Sequence, residues 1–294
     1  MAILPRYPIY IPTKGRSEKC LTARFLTRDG VPFQLVIEPQ EYDLYAAKFG
    51  EKAILVLPFS ELGQGSIPAR NWIWQHARDR GVERHWVMDD NLWRLRRLYK
   101  GYRIACAAGP ALAAVEDFVD RYENVAIAGL NYTMFGLPKM PPFYLNVHVY
   151  SCMLLRTDLP FQWRGRYNED TDLCLQVLAA GWCTILTNVF LAEKVGTMQM
   201  KGGNTDALYA ADGRLKMARQ LERQWPYVVS TDRRFSRPQH VVRDQWRKFD
   251  TPLKLKPGID PAKLAEKNEY GLKLGAEKPV TSKDLRRLLD ETHD

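Results

Sequence analysis

The sequence predicts an α/β domain, and three observations predict it. Short apolar runs bounded by Gly, Pro and polar residues alternate with segments of helical period, and the runs end in clusters of polar side chains. YPIYI (7–11) reads as a first strand, and PTKGR (12–16) as a loop, because it places two chain breakers in five residues. A helix over about 17–29 leads to a strand at FQLVIE (33–38), and a helix over about 41–49 leads to AILVLP (53–58). Another helix, near 69–80, feeds HWVM (85–88). Residues 111–122 have helical spacing, and VAIAGL (125–130), FYLNVHVYSCMLL (143–155) and TILTNVFLA (184–192) read as later strands. In YNEDTDLCLQVLAAGW (167–182), Leu173, Val177 and Ala180 share one helical face, with Gly181 placed to stop the helix. Residues 1–235 are assigned to one domain and 236–294 to a basic, partly helical C-terminal extension.

Composition narrows the partners. The 294 residues are 46% hydrophobic and 11% aromatic, too rich in order-promoting types for a disordered chain. A net charge of +9 favours a polyanion such as nucleic acid, nucleotide phosphate or an anionic surface. The five scattered cysteines, Cys20, Cys106, Cys152, Cys174 and Cys183, have neither zinc-site spacing nor disulfide-scaffold density. Arg6 interrupts what would be a leader's apolar core, and no apolar run reaches the roughly 18 residues of a membrane span. A cytoplasmic monomer without a membrane partner is expected.

In an open α/β sheet, ligands collect at the carboxyl ends of strands. There the chain places Thr13, Lys14 and Arg16 in the loop that runs from Pro12 through Gly15, then Glu38, then GQGSIPARN with Arg70 and Asn71. Gly-rich loops with Lys and Arg suit a diphosphate, and Glu38 and Thr13 suit a base or ribose. After the fourth strand come Asp89, Asp90 and Asn91. Adjacent carboxylates repel unless a cation or a bound ligand offsets them, and Mg²⁺ or Mn²⁺ takes such hard oxygens together with phosphate oxygens. Which of the three would touch the metal stays open. A surface turn is the bland alternative, but the preceding residues look buried. Glu169, Asp170 and Asp172 crowd one helix start, more carboxylates than capping requires, so one of them can serve as a general base.

IPTKGR, SIPARN, VMDDN, NEDTDLCL and KGGNTDALYAADGRLKMA together resemble inverting glycosyltransferases of the GT-A fold. More narrowly, they resemble the TET-associated glycosyltransferases of tailed phages, over roughly residues 7–240. The resemblance implies a Rossmann-like nucleotide-sugar fold with a mixed, mainly parallel central sheet flanked by helices. It implies a DxD-type element at Asp89, Asp90 and Asn91 holding Mn²⁺ or Mg²⁺ against the diphosphate of a UDP-sugar, with Asp89 also against the donor. Arg16 and Arg70 would neutralise the diphosphate, and the Glu169–Asp170 pair would supply the base, with Asp170 preferred. The acceptor implied is the hydroxyl of 5-hydroxymethylcytosine in DNA, in an infected bacterial host. The chain departs from the usual pattern in having Asp-Asp-Asn. His240 lies where a third ligand is often found, although a lone histidine is more often structural.

LWRLRRLYKGYR (92–103) carries Arg94, Arg96, Arg97, Lys100 and Arg103 with no acid, just after the metal motif and interleaved with aromatics. Basic runs are usually solvated faces, but here the run adjoins the catalytic edge and suits DNA phosphates. KGGN (201–204) suits a lid or a plain turn, and QLERQW (220–225) imitates a polysaccharide-synthase element with one residue too many. Trp163 and Tyr167 suit stacking on a sugar or base, with core packing the alternative for each. The expectation is an inverting hexosyl- or N-acetylhexosaminyltransferase. Its rivals are the same chemistry on a glycan or protein hydroxyl, a sugar-nucleotide pyrophosphorylase whose Gly-rich start is missing here, and a catalytically silent DNA-binding module.

Overall fold

The computed structural model describes residues 3–99, 101–195, 200, 210–234, 236–260 and 262. The first half is a parallel α/β unit. Ile9–Pro12 (β1), Gln34–Ile37 (β2), Ile54–Val56 (β3) and Arg84–Met88 (β4) pair in parallel in the order β3-β2-β1-β4. They are joined by helices Leu21–Arg28 (α1), Tyr42–Phe49 (α2) and Ile67–Asp79 (α3). There follow Leu92–Tyr99 (β5), Tyr102–Cys106 (β6), Ala108–Val119 (α4), Val125–Tyr132 (β7), Phe143–Leu145 (β8) and Cys152–Arg156 (β9). The chain continues through Glu169–Ala179 (α5), Cys183–Lys194 (β10), Ala210–Gln224 (α6), Val229–Arg234 (β11) and Arg237–Val242 (β12).

A single ten-stranded sheet results, ordered β3-β2-β1-β4-β9-β7-β10-β5-β6 with β8 also on β10. Strands β1, β2, β3, β4, β6, β7 and β10 run one way and β5, β8 and β9 the other, so the sheet is mixed and mainly parallel. Both faces of the central strands β1, β2, β4, β7 and β9 are buried, which explains their apolar runs. Ile9, Ile11, Leu35, Ile37, Trp86 and Met88 face α1, α2 and α4, whereas Tyr10, Val36 and Val87 face α3 and α5. A smaller cluster, Leu221, Val228 and Val229 with Leu175 of α5, fixes α6 and the β11–β12 hairpin to the main body. The chain after β12 returns to it as well, since Asn124 Nδ2 donates to the Pro252 carbonyl at 2.8 Å.

One expectation is corrected. The run 143–155 is not one strand, because Asn146 and Ser151 take left-handed φ angles of 56° and 60° and a loop separates β8 from β9. The basic run 92–103 is the β5–β6 hairpin, pairing Tyr99 with Tyr102 across its tip. No helix among the described residues is long and apolar enough to cross a membrane.

Candidate active site

The carboxyl ends of β1, β2 and β4 and the last residues of β7 and β10 meet the first turn of α5 around a cleft of ≈ 440 Å³. Pro12, Thr13, Lys14, Arg16, Glu38, Arg70, Asp89, Asp90, Asn91, Glu169 and Asp170 all line it, so residues spread over 159 positions of sequence converge on one volume. Gly15 supports the first loop from behind with φ 65°, a conformation that favours glycine.

At the β2–β1 end, the Lys14 ammonium lies 2.7 Å from Glu38 Oε2. Burial pushes the Glu38 carboxyl up, but Lys14 and Gln40 more than offset it and hold it below its usual range. Asp90 points away from solvent: Thr13 Oγ1 donates to its Oδ2 at 2.8 Å and Arg16 Nη1 to its Oδ1 at 2.6 Å. Burial raises the Asp90 carboxyl despite Arg16.

Asp89 sits at the centre of the row. Its Oδ1 accepts from Arg70 Nη2 at 2.8 Å, and its Oδ2 accepts from Ser151 Oγ at 2.7 Å and Lys194 Nζ at 2.8 Å. Burial opposes its ionisation, yet Lys194 and Arg70 hold it well below the usual carboxylate range. Asp89 is therefore a fixed anion between two cations. Beside it, Asn91 Oδ1 is buried with no hydrogen-bond partner among the described residues. Hard oxygens such as these suit a divalent cation that takes its other positions from phosphate and water. Among the described residues no group of three or more His, Cys, Asp or Glu is arranged to hold a metal by itself.

Helix α5 begins in the cleft. Glu169 Oε1 accepts from Ser66 Oγ at 3.0 Å and lies 3.7 Å from Arg70 Nε. Asp170 Oδ1 accepts the Thr171 backbone N–H at 2.7 Å. Burial raises both carboxyls, with the mutual repulsion of the pair adding to Glu169 and the Asp89 charge adding to Asp170. A raised carboxyl at the mouth of a sheet is poised to take a proton.

A family profile described as TET-Associated Glycosyltransferase matches residues 7–203. The chain belongs to that family. No curated protein matches it. A glycosyltransferase uses a nucleotide-sugar donor, and the convergence of β1, β2, β4 and α5 gives this TET-associated glycosyltransferase one cleft with cationic and acidic walls.

Several predicted residues do other work. Asp172, expected with the site carboxylates, does not line the cleft. It is fully buried, accepting from Arg164 Nε at 2.8 Å, Trp225 Nε1 at 2.7 Å and Gln176 Nε2 at 2.7 Å. Asn71 is likewise withdrawn from the cleft: its amide donates to the Trp163 carbonyl at 2.8 Å and accepts the Trp163 N–H at 2.9 Å. Trp163 and Tyr167 are core side chains, 1% and 3% exposed, and Trp163 carries the Arg70 guanidinium 4.6 Å from its ring. The KGGN segment and Lys100 lie outside the described residues. On the hairpin, Arg94 and Arg96 share Glu193 at 3.4 and 2.6 Å, and Arg103 Nε donates to the Gly136 carbonyl at 2.8 Å. Arg97 lies over the Tyr99 ring at 5.4 Å.

His240 does reach the cleft, carried there by β12, and burial with the neighbouring His148 pushes its imidazole down to about 4. Sequence reasoning missed Ser66, Tyr132, His148, Tyr150, Ser151 and Lys194, which also line the cleft. Only Lys194 had a local signal, a charged residue closing a long apolar strand.

Asp172→Asn is expected to cost about 2 to 3 kcal/mol of stability, because it removes a buried charge and the donors on Arg164, Gln176 and Trp225 then lack an anionic acceptor. The lower part of the range applies, since Arg164 is half-exposed and can turn to water. Denaturant unfolding should show the loss, with kcat of the folded fraction within a few-fold of the parent. A large kcat loss at unchanged stability would return Asp172 to the candidate bases.

Proposed function

We propose that this glycosyltransferase moves a sugar from a UDP-sugar to the hydroxyl of 5-hydroxymethylcytosine in DNA, with inversion at the anomeric carbon. The observation that carries the reading is the placement of Asp170, with its raised carboxyl, in the same cleft as the cations around Asp89. Thr13, Lys14 and Glu38 form the end suited to the nucleoside. Arg16, Arg70 and Lys194 hold the diphosphate and offset the charge that develops on it as the glycosidic bond breaks. Asp89 and Asn91 Oδ1 are the residues that would hold Mn²⁺ or Mg²⁺, which when bound supplies further neutralisation of the leaving diphosphate. Asp170 takes the proton of the acceptor hydroxyl. The freed oxygen attacks the anomeric carbon opposite the diphosphate, which leaves as UDP with the bonding electron pair.

The β5–β6 hairpin next to this cleft supports a nucleic-acid acceptor over a glycan or protein hydroxyl. Glu193 offsets one of the five hairpin cations, leaving about four to meet phosphates. The logarithm of DNA affinity should therefore fall with the logarithm of salt at a slope of about −3 to −4, and Arg97→Ala should reduce that slope by about one. A salt-independent affinity would favour the uncharged-acceptor reading.

The function is tested by incubating the protein with hydroxymethylated duplex DNA and a panel of nucleotide sugars in Mn²⁺, followed by nucleoside mass spectrometry. A nucleoside heavier by one hexose or N-acetylhexosamine is expected. Turnover on glycan or protein acceptors only would replace the DNA reading. No turnover of any sugar nucleotide would leave a silent binding module.

A further inference from the structure

The cleft has two unlike ends. The sheet order β2-β1-β4-β9-β7-β10 puts the Lys14–Glu38 pair at one side of Asp89 and the last residue of β7, Tyr132, at the other. The first end is polar. The second is a run of aromatic rings. Phe135 lies 6.1 Å from Tyr132, Tyr132 lies 4.4 Å from Tyr150, and Tyr150 lies 5.2 Å from His148, centroid to centroid. Phe135 is exposed outside the cleft, whereas Tyr132, Tyr150 and His148 line it, so the run leads from the surface into the cleft.

The rings are held rather than loosely placed. The loop that carries His148 and Tyr150 is pinned at both ends by the left-handed residues Asn146 and Ser151. Asn146 Nδ2 donates to the Thr251 carbonyl at 2.9 Å, and its backbone N–H donates to the Thr184 carbonyl at 2.8 Å. The Tyr132 hydroxyl is bonded to Ser151 Oγ at 2.6 Å, which fixes its ring next to Asp89. The run also adjoins the proposed base: burial raises the Tyr132 phenol to about 12, and the Asp170 charge adds to the rise in both Tyr132 and Tyr150. None of these rings is needed to bind a diphosphate, which the cations at Asp89 already serve.

We infer that Tyr132, Tyr150 and His148 form the subsite that receives the acceptor's planar ring, stacking a nucleobase turned out of the duplex so that its substituent reaches Asp170. The inference rests on the DNA reading above and deepens it. Chemistry on a base inside a duplex requires that the base leave the stack, and an aromatic face repays part of that cost. Phe135, at the outer end, is the ring the base meets first. His240, carried by β12, adjoins His148 in the cleft lining.

The test measures transfer to hydroxymethylated duplex and donor affinity separately. Tyr150→Leu and His148→Leu are each expected to raise KM for DNA by about 5- to 150-fold, the range for loss of one base-stacking ring, with KM for the UDP-sugar within two-fold. Tyr150→Phe, which keeps the ring, should restore most of the lost DNA affinity. A 2-aminopurine beside the target base should brighten on binding the parent protein and much less on binding the Leu variants. Thermal unfolding checks that each variant is folded, and His148, being exposed, keeps the test available if Tyr150→Leu is not. A parent enzyme that transfers sugar to DNA while both Leu variants match its KM would overturn the subsite alone. Variants that lose donor affinity instead would assign the rings to the sugar. A parent enzyme inactive on hydroxymethylated DNA would overturn the DNA reading and the subsite with it.

Discussion

Asp170→Asn is expected to lower turnover by about 10²- to 10⁴-fold while the nucleotide sugar still binds, because asparagine keeps the shape and the Thr171 contact but accepts no proton. The pH profile gives the second half of the expectation. Burial and the Asp89 charge raise the Asp170 carboxyl, and a base must be ionised, so activity should climb with pH through a midpoint above the ordinary aspartate value of about 3.9. That acid limb should vanish in the variant. Glu169→Gln should be milder, since Glu169 is already engaged by Ser66 and Arg70. Should Glu169→Gln prove crippling and Asp170→Asn mild, the roles within the pair are reversed.

Asp89→Asn is the other large effect. It removes the anion that orients Arg70 and Lys194, and leaves a divalent ion only neutral side-chain oxygens at Asn91 and position 89. We expect kcat/KM to fall by about 10²- to 10³-fold, the scale for loss of one preorganised electrostatic element. EDTA should mimic the substitution, and excess Mn²⁺ should reverse the chelator but not the variant. Calorimetric titration with UDP should show Mn²⁺-dependent binding to the parent that is weakened in Asp89→Asn. Full activity in EDTA would remove the metal role and leave Arg16, Arg70 and Lys194 as the diphosphate's only counter-charges among the described residues.

Much of the donor end is legible in the order of residues along the chain. Strands buried on both faces are mainly apolar, so β1, β2, β4 and β7 announce themselves, and polar residues just after such strands stand where ligands bind. Thr13 to Arg16, Glu38 and Asp89 to Asn91 follow from that rule alone, whereas α3 carries Arg70 to them. The hairpin does not announce itself, because LWRLRRLY buries only Leu92 and Leu95 fully and its charges mask the alternation. Asp170 and Asp172 stand close together in the sequence as candidates of the same kind. Two positions along a helix are about 200° apart around its axis, so only one of them can face the cleft. Which one depends on where α6 sits, since it is Trp225, just beyond α6, that reaches Asp172.

By itself, then, the sequence determined the α/β order, the strand-end clusters and the family likeness, because each is a local pattern of burial and polarity. The tertiary structure alone decided what stands opposite those clusters. Lys194 reaches Asp89 across 105 positions, and the rings at 132, 148 and 150 meet only because β9 inserts antiparallel between β4 and β7. Such pairings are set by the packing of distant segments, and no periodicity or spacing within one segment encodes them.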